Sequence, residues 1–342
     1  MEINQIIQST IDLLSENNEW EERFQGYIQN IAINHQKNGK RSFRKPDGLS
    51  LYSSVGSNGK SYDLRFRGQS VATVKETAAE KVKLSPKSDA NQKYFEFDLC
   101  KEEVDWDSTE ASNFRSFFKK ESLKFTAEHP EADRKKTKSE EHRVENCLLR
   151  EFSKKLGIEK ALCNIQPIKL YNLFFQMPTP FKASTHNPKY AVRGGGIDIL
   201  ARIKPLKGIS RICVMEVKDE NKPTESQATA MSQAVTYAVF IAYLLRSKSG
   251  QHWWDFFMGR SLKATKEKDG TTRNEVPKSL DIDVVTIMPQ GTTEEFCDVD
   301  ILLDELDTTL HCHSLYYDGE VFQKDETFIF SGTYPNQLRT WK

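Results

Sequence analysis

The chain has 342 residues, of which 37% are hydrophobic and 29% charged, so it is long enough to bury one large core or two smaller ones. Lysine and arginine balance aspartate and glutamate at a formal net charge of zero. This balance excludes a global electrostatic attraction to nucleic acid and confines any such contact to a local patch.

Cysteine usage and hydropathy indicate the compartment. The 6 cysteines have no CxxC spacing and several lie in apolar runs, which is typical of reduced thiols in a cytosol. No run reaches the roughly 18 apolar residues of a membrane span, and the start MEINQIIQST has no signal-peptide pattern. We therefore expect a cytoplasmic protein that does not contact membranes.

The first 130 residues predict a separate N-terminal α+β module of unknown role. Apolar residues recur at helical spacing from Asn4 to about Asn34 and predict two amphipathic helices with a break near Glu16. The same module is predicted to contain a strand at Tyr94–Cys100 and a helix at Asn113–Phe125.

A predicted hairpin in this module carries two arginines. The segment Tyr62–Arg67 alternates apolar and charged residues, and a second strand follows Gly68. Alternation places Arg65 and Arg67 together on the wet face of the hairpin, away from its apolar side chains. An exposed pair of arginines is a candidate nucleic-acid contact.

A charged segment without bulky apolar residues, 131–138, predicts the linker to a second domain at 139–290. After this linker, apolar residues fall on one stripe of a helix that is predicted to end at Gly157. Glu145 lies on this stripe, so it either serves a site or lies at the helix shoulder with its carboxylate in water. A strand of bulky apolar residues is predicted next, at Ile168–Met177.

Two short runs rich in Ile and Val, Ile197–Ile203 and Ile209–Val217, predict a β-hairpin. Side chains alternate along a strand, so Glu216 and Lys218 share one face of the second strand. Each strand carries a carboxylate within an apolar run, because Asp198 lies on the first strand. Two such carboxylates destabilise the fold and repel each other unless a divalent cation or another partner neutralises them.

The helix predicted after Pro223 is apolar nearly all round and is therefore expected to be buried. Thr224 is its predicted N-cap, and Gln227 completes a capping box. Gln233 lies within this helix and needs partners for its amide. A substrate or a water at the site is one candidate partner, and a backbone group of the core is the other. One more strand is predicted at Leu280–Met288.

The remaining residues, 291–342, predict a C-terminal hairpin extension. Its turn is expected at Asp318-Gly319, between two short apolar runs. His311 and His313 share one face of a strand, but a zinc site needs more ligands than these two. We therefore predict an ordinary strand there.

The spacing of Asp198 and Glu216-Val217-Lys218 resembles the D…ExK signature of the PD-(D/E)xK nuclease superfamily, although the proline of the family's name is absent. Gln233 and Tyr237, four residues apart on the long helix, are similar to the QxxxY element of the helicase–nuclease and phage-exonuclease branch. The resemblance covers under half of the chain. It implies an α/β fold with a restriction-endonuclease-like αβββαβ core and a mixed central sheet, beside the N-terminal α+β module.

The resemblance also implies a chemistry. Asp198 and Glu216 would hold Mg²⁺ or Mn²⁺, with the Val217 carbonyl as a third ligand. The ion would lower the pKa of a bound water, while Lys218 orients the hydroxide and stabilises the transition state. Glu145 is a candidate for holding a second ion or its water.

DNA is the expected partner because most of this family cuts DNA, and the sequence does not distinguish DNA from RNA. Gln233 is expected beside the active site, and Tyr237, Arg65 and Arg67 are expected to contact the nucleic acid. The QxxxY element favours end-directed cutting, whereas a recognition module carrying two arginines suits an endonuclease.

Two other classes of function stay open at this point. One is a catalytically inactive nucleic-acid-binding module that keeps the nuclease fold. The other is a metal-free interaction protein, in which Asp198 and Glu216 are surface charges at a strand edge. The sequence does not distinguish a monomer from a homodimer or from a complex with a partner protein.

Overall fold

The computed structural model describes residues 3–34, 48–56, 60–77, 81–87, 102–127, 140–153, 165–182, 187–203, 210–220, 226–259, 275–292 and 298–332. Over these residues the protein is mixed α/β, with seven α-helices and a mixed central sheet. The chain divides into two compact units. The large unit comprises residues 1–32, 147–168 and 176–342, and the small unit comprises residues 33–146 and 169–175.

The elements are numbered in chain order. The helices are α1 (Ile3–Glu16), α2 (Glu19–Asn34), α3 (Thr109–Ala127), α4 (Glu140–Phe152), α5 (Gln227–Arg246), α6 (Gly250–Phe257) and α7 (Gly319–Asp325). The strands are β1 (Ser50–Ser53), β2 (Ser61–Phe66), β3 (Gln69–Glu76), β4 (Val82–Pro86), β5 (Val104–Asp105), β6 (Ile165–Pro167), β7 (Met177–Pro178), β8 (Phe181–Lys182), β9 (Lys189–Tyr190), β10 (Gly196–Ile197), β11 (Ile199–Ile203), β12 (Arg211–Val217), β13 (Leu280–Pro289), β14 (Val299–Leu303), β15 (Thr308–Tyr317) and β16 (Phe330–Gly332).

This division differs from the predicted domain bounds. Helix α1 and most of α2 belong to the large unit, although they were expected in the N-terminal module. The last strands, β14 to β16, extend the central sheet instead of forming a separate extension. The physical reason is that helices α1 and α2 and strands β14 and β15 bury apolar residues within the same unit, which composition along the chain does not reveal. The predicted linker at 131–138 lies outside the described residues.

The large unit is built on a seven-stranded mixed sheet. Its strand order is β6-β11-β12-β13-β15-β14, with β16 added to β15. Strands β12, β13 and β15 are parallel, whereas β6, β11, β14 and β16 pair antiparallel to their neighbours. Strand β13 is buried along almost its whole length, as expected for a parallel strand covered on both faces.

Helix α5 is the central helix of the large unit and connects the parallel strands β12 and β13, against which it packs. It is long and apolar enough to cross a membrane, with a hydropathy of 1.4, but 83% of that segment is buried within the fold. Ser226 is its N-cap and accepts a hydrogen bond from the Thr229 N–H at 3.2 Å. The prediction of Thr224 as N-cap is therefore wrong, and Gln227 is the first residue of the helix instead of the last residue of a capping box. The helix thus has the burial expected from its composition.

The two N-terminal helices confirm the predicted helical spacing. Helix α1 packs against α5 and buries Ile6, Ile7 and Leu14. In the large unit, the rings of Trp20 and Phe24 lie 5.7 and 4.9 Å from the ring of Phe240 in α5. These contacts explain why the start of the chain belongs to the same unit as the central sheet.

The small unit is a five-stranded antiparallel sheet in the order β1-β2-β3-β4-β5, with helix α3 alongside. The predicted alternation in β2 is confirmed, because Tyr62, Leu64 and Phe66 are all buried. These side chains share one core with Phe114 and Phe118 of α3. The strand predicted at 94–100 lies outside the described residues.

Two further local predictions are wrong. The segment predicted as one strand at Ile168–Met177 turns sharply, because Tyr171 and Asn172 have positive φ angles of 55° and 62°. The turn predicted at Asp318-Gly319 is instead the start of α7, since the Asp318 carboxylate accepts hydrogen bonds from the N–H groups of Glu320 and Val321, each at 3.0 Å. An Asp-Gly pair caps a helix as readily as it turns a hairpin.

Candidate functional site

The hairpin β11–β12 brings two carboxylates together. Its antiparallel register pairs Ile199 with Met215, so one further step places Asp198 opposite Glu216. A carboxylate oxygen of Asp198 lies within 4.8 Å of one of Glu216. Only 9% of Asp198 and 5% of Glu216 is exposed. The predicted proximity of the two acids is therefore confirmed, and neither is a surface charge.

Asp198 occupies a break between β10 and β11, where the regular ladder stops. Its Oδ2 accepts a hydrogen bond from the N–H of Val217 at 2.9 Å, which holds the carboxylate against β12. In an antiparallel ladder the N–H and C=O of one residue point to the same side of the strand. The Val217 carbonyl therefore points to the side of β12 on which Asp198 lies.

Lys218 completes the group from the end of β12. Its Nζ donates a hydrogen bond to Glu216 Oε1 at 2.8 Å, and only 4% of the residue is exposed. The prediction that Glu216 and Lys218 share one strand face is confirmed. The ammonium offsets part of the cost of burying the Glu216 carboxylate.

The backbone at Lys218 is held from two sides. Its N–H donates to the Ile287 carbonyl at 2.9 Å, which continues the pairing with β13. Its carbonyl accepts a hydrogen bond from the Tyr317 hydroxyl at 3.0 Å, and Tyr317 is fully buried at the end of β15. Sequence reasoning did not identify Tyr317, because no local pattern indicates a contact made across two strands.

Two side chains of α5 belong to the same unit. Gln233 and Tyr237 are one turn apart on the helix and are 4% and 6% exposed. Within the described part of the chain, Gln233 Oε1 is buried and accepts no hydrogen bond, so of its two candidate partners the backbone group of the core is not found for this oxygen. Tyr237 is buried, and its hydroxyl lies beside the backbone of Gly195.

The donor set of Asp198 and Glu216 fits a hard divalent cation. Mg²⁺ and Mn²⁺ favour carboxylate and carbonyl oxygens, which these two residues and Val217 supply. Two oxygens bound to one Mg²⁺ at about 2.1 Å are about 3 Å apart when adjacent and about 4.2 Å apart when opposite. One carboxylate oxygen of Asp198 and one of Glu216 lie at most 4.8 Å apart, so small side-chain rotations bring both oxygens to these distances. No soft ligand such as a thiolate belongs to this set.

Comparisons with known proteins give no match. No family model, no curated protein and no solved structure is similar to this chain.

Glu145 belongs to the small unit, where it is almost fully buried in α4. Its Oε2 lies 3.3 Å from His142 Nδ1. Its carboxylate therefore does not lie in water at the helix shoulder. The Glu145 charge acts on Arg65 of the same unit. Burial of the Arg65 guanidinium alone would lower its pKa, but the charges of Glu145 and Asp63 outweigh this burial and raise the pKa. Glu145 thus has a defined electrostatic role within the small unit.

The two arginines of the small unit do not form a wet face. Arg65 donates to Asp63 Oδ2 at 2.7 Å, and its guanidinium lies 4.1 Å from the centre of the Tyr52 ring. Its side chain keeps only 12% of its accessible surface. Arg67 is half-buried in the turn after β2, with a φ of 49°. Pairing and ring stacking, which strand alternation does not encode, remove Arg65 from the surface.

A second polar cluster lies on the sheet of the large unit. His311 contacts Asp300 Oδ1 at 2.8 Å through Nδ1 and Asp281 Oδ1 at 2.9 Å through Nε2. Burial alone would lower the pKa of His311, but these two hydrogen bonds raise it. His313 Nδ1 lies 3.1 Å from Asp298 Oδ2. Both histidines therefore engage acids of neighbouring strands.

This cluster borders an open cleft of about 350 Å³, lined by Arg211, Asp298, Val299, Asp300, His311 and His313. Among the described residues, no three side chains of the cluster bring ligand atoms within 4.8 Å of one another. Both histidines lie in strand β15, as predicted.

Proposed function

We propose that this protein is a divalent-metal-dependent nuclease that hydrolyses phosphodiester bonds, with DNA as its substrate. The observation that carries the proposal is the buried pair of Asp198 and Glu216, whose oxygens lie within 4.8 Å, with the Lys218 ammonium 2.8 Å from Glu216. Two buried carboxylates repel each other and lose hydration, and a cation between them lowers both costs. A divalent cation offsets both charges.

The order of elements supports a restriction-endonuclease-like core. Helix α4, strands β6, β11 and β12, helix α5 and strand β13 occur along the chain in the order αβββαβ, with the two-residue strands β7 to β10 and the short helix α6 inserted between them. Strand β11 pairs antiparallel with both β6 and β12. Strand β13 follows the α5 crossover and pairs with β12 in parallel. Glu216 lies on β12 and Asp198 directly precedes β11, which agrees with the placement that the D…ExK resemblance implies.

The residues of the site have different roles in the proposed reaction. Asp198, Glu216 and the Val217 carbonyl would hold the cation. When bound, a divalent cation supplies Lewis-acid chemistry, since it neutralises charge on the scissile phosphate and lowers the pKa of water. Lys218 contributes a fixed positive charge in a site with little solvent, where it stabilises the charge that develops during phosphodiester hydrolysis. Gln233 offers a buried amide oxygen that can accept a hydrogen bond from a water in the site.

The test is incubation with linear and circular DNA and with RNA, in Mg²⁺, Mn²⁺ or excess chelator. We expect cleavage of DNA with either metal and none with chelator. Asp198→Asn should abolish cleavage, while Asp304→Asn, a change of an exposed acid in the same unit, should not affect it. Full activity of the Asp198 variant would overturn the assignment.

A second pair of variants separates chemistry from binding. Lys218→Met keeps most of the aliphatic stem and removes the charge, so kcat should fall by roughly a hundredfold with little change in Mn²⁺ affinity. The exposed Lys248→Met is the matched control. Unchanged turnover in the Lys218 variant would exclude it from catalysis, and DNA binding without cleavage by the wild type would favour an inactive binding module.

Exonuclease and endonuclease action are distinguished by a separate experiment. The similarity of Gln233 and Tyr237 to the QxxxY element favours action from a DNA end. Degradation confined to linear duplex, with closed circles intact at equal Mg²⁺ and low salt, would support an exonuclease. Cutting of the circles at matched rates would make an endonuclease the better assignment.

A further inference from the structure

Three consecutive glycines, 194 to 196, precede Asp198 and lie directly against the backbone of a neighbouring segment. The N–H of Thr179 donates to the Gly195 carbonyl at 2.9 Å, and the N–H of Gly195 donates to the Phe181 carbonyl at 2.6 Å. A Cβ at Gly194 would lie 2.2 Å from the Thr179 carbonyl oxygen. Only glycine allows the two backbones to approach this closely.

This segment sets the position of Asp198. The next strand, β10, has only two residues, and it pairs with β7 through Gly196 opposite Pro178 and Ile197 opposite Met177. Asp198 follows at once, in the break before β11. A two-residue ladder constrains its neighbours weakly, so the approach of the chain to Asp198 depends on the contacts made by the glycines.

Tyr237 of α5 supplies one side-chain contact to this segment, in addition to the Thr179 hydroxyl, which donates to the Gly195 carbonyl at 3.3 Å. A Cβ at Gly195 would lie 2.9 Å from the Tyr237 hydroxyl oxygen, and then 3.4 Å from the Phe181 carbonyl oxygen and 3.9 Å from Tyr237 Cζ. The hydroxyl is therefore the atom that limits the space beside Gly195. Helix α5 also packs against β12, the strand that carries Glu216. Tyr237 thus belongs to the helix that packs against the Glu216 strand, and it also contacts the glycine segment that precedes Asp198.

We propose that Tyr237 is a positioning residue, whose hydroxyl packs against Gly195 and fixes the glycine segment that holds Asp198 opposite Glu216. The inference rests on the proposed function, and it gives Tyr237 a role other than direct contact with nucleic acid. Tyr237 acts on the metal ligands through the backbone. Groups that orient metal ligands typically change metal affinity 10- to 100-fold when they are altered.

The experiment is a double-variant cycle read by Mn²⁺ calorimetry on the full chain. Gly195→Ala places a methyl group against the Tyr237 hydroxyl, so Mn²⁺ affinity should fall by about tenfold or more. Tyr237→Phe removes the hydroxyl and leaves the methyl group only ordinary contacts, at 3.4 and 3.9 Å. The combined variant should therefore bind Mn²⁺ as Tyr237→Phe alone does. Gly26→Ala is the control, since a Cβ there meets nothing within 4 Å.

The outcomes separate this inference from the proposed function. Wild-type affinity in Gly195→Ala, or a combined variant no better than Gly195→Ala, would overturn the role of Tyr237. If Gly195→Ala does not fold, a folded combined variant that binds like Tyr237→Phe supports the inference, and an unfolded one overturns it. Absence of Mn²⁺ binding and cleavage in the wild type would instead remove the proposed function and this inference together.

Discussion

Substitution of Lys218 by methionine tests the electrostatics of the site directly. The side chains of Lys218 and Glu216 are 5% and 6% exposed and are joined at 2.8 Å. Removing one partner of a buried ion pair costs about 3–5 kcal/mol, because the remaining charge is buried without compensation. We therefore expect Lys218→Met to lower the free energy of unfolding by about 3–5 kcal/mol in the presence of chelator.

Urea unfolding measures this loss, and two further variants identify its cause. Lys218→Met combined with Glu216→Gln should lose less than Lys218→Met alone, because the Glu216 charge is removed together with its counter-charge. Saturating Mn²⁺ should stabilise the wild type and the single variant to a similar extent, because the substitution is expected to change Mn²⁺ affinity little. The pair Lys83–Asp105 has the same 2.8 Å separation but exposed side chains, so Lys83→Met should have no resolvable effect. An equally small effect of Lys218→Met would refute the reasoning.

Three further predictions concern stability. The pKa of His311 is raised above 6.5 by Asp281 and Asp300, so its contribution is present below about pH 6.5 and is lost as pH rises through the folded-state pKa; the difference in unfolding free energy between wild type and His311→Gln should shrink from pH 6 to pH 9, and a constant difference would contradict this. Asp318→Ala should cost about 1 kcal/mol through loss of the α7 N-cap, measured by thermal unfolding; no change would remove the cap. Gly68 has a φ of 85° and a backbone carbonyl 2.0 Å from the position of a Cβ, so Gly68→Ala should cost at least about 2 kcal/mol in urea unfolding, and a neutral effect would argue against that packing.

The sequence was sufficient for features that depend on local periodicity. Period-two alternation put Glu216 and Lys218 on one face, and the structure joins them by a hydrogen bond. The strand pairing and the apolar run identified Asp198 as its cross-strand neighbour. The uninterrupted apolar composition of α5 predicted its burial, which the structure confirms.

Features that depend on distant partners were not predictable in this way. Alternation placed Arg65 in water, yet Asp63 and the ring of Tyr52 hold it in a half-buried position. The two compact units differ from the predicted domain bounds because the large unit is assembled from separated stretches of the chain, which no composition change along the sequence marks. The role of Gly195 depends on contact with Tyr237, and the sequence shows three glycines without showing what they approach.

The central claim is that Asp198 and Glu216 jointly hold one divalent cation. Calorimetric titration of Mn²⁺ into wild type, Asp198→Asn, Glu216→Gln and the exposed control Asp304→Asn tests it most directly. We predict one ion per chain for the wild type and the control, and a loss of at least about tenfold in affinity for either site variant. Equal Mn²⁺ affinity in all four proteins, or no binding by the wild type, would contradict the account.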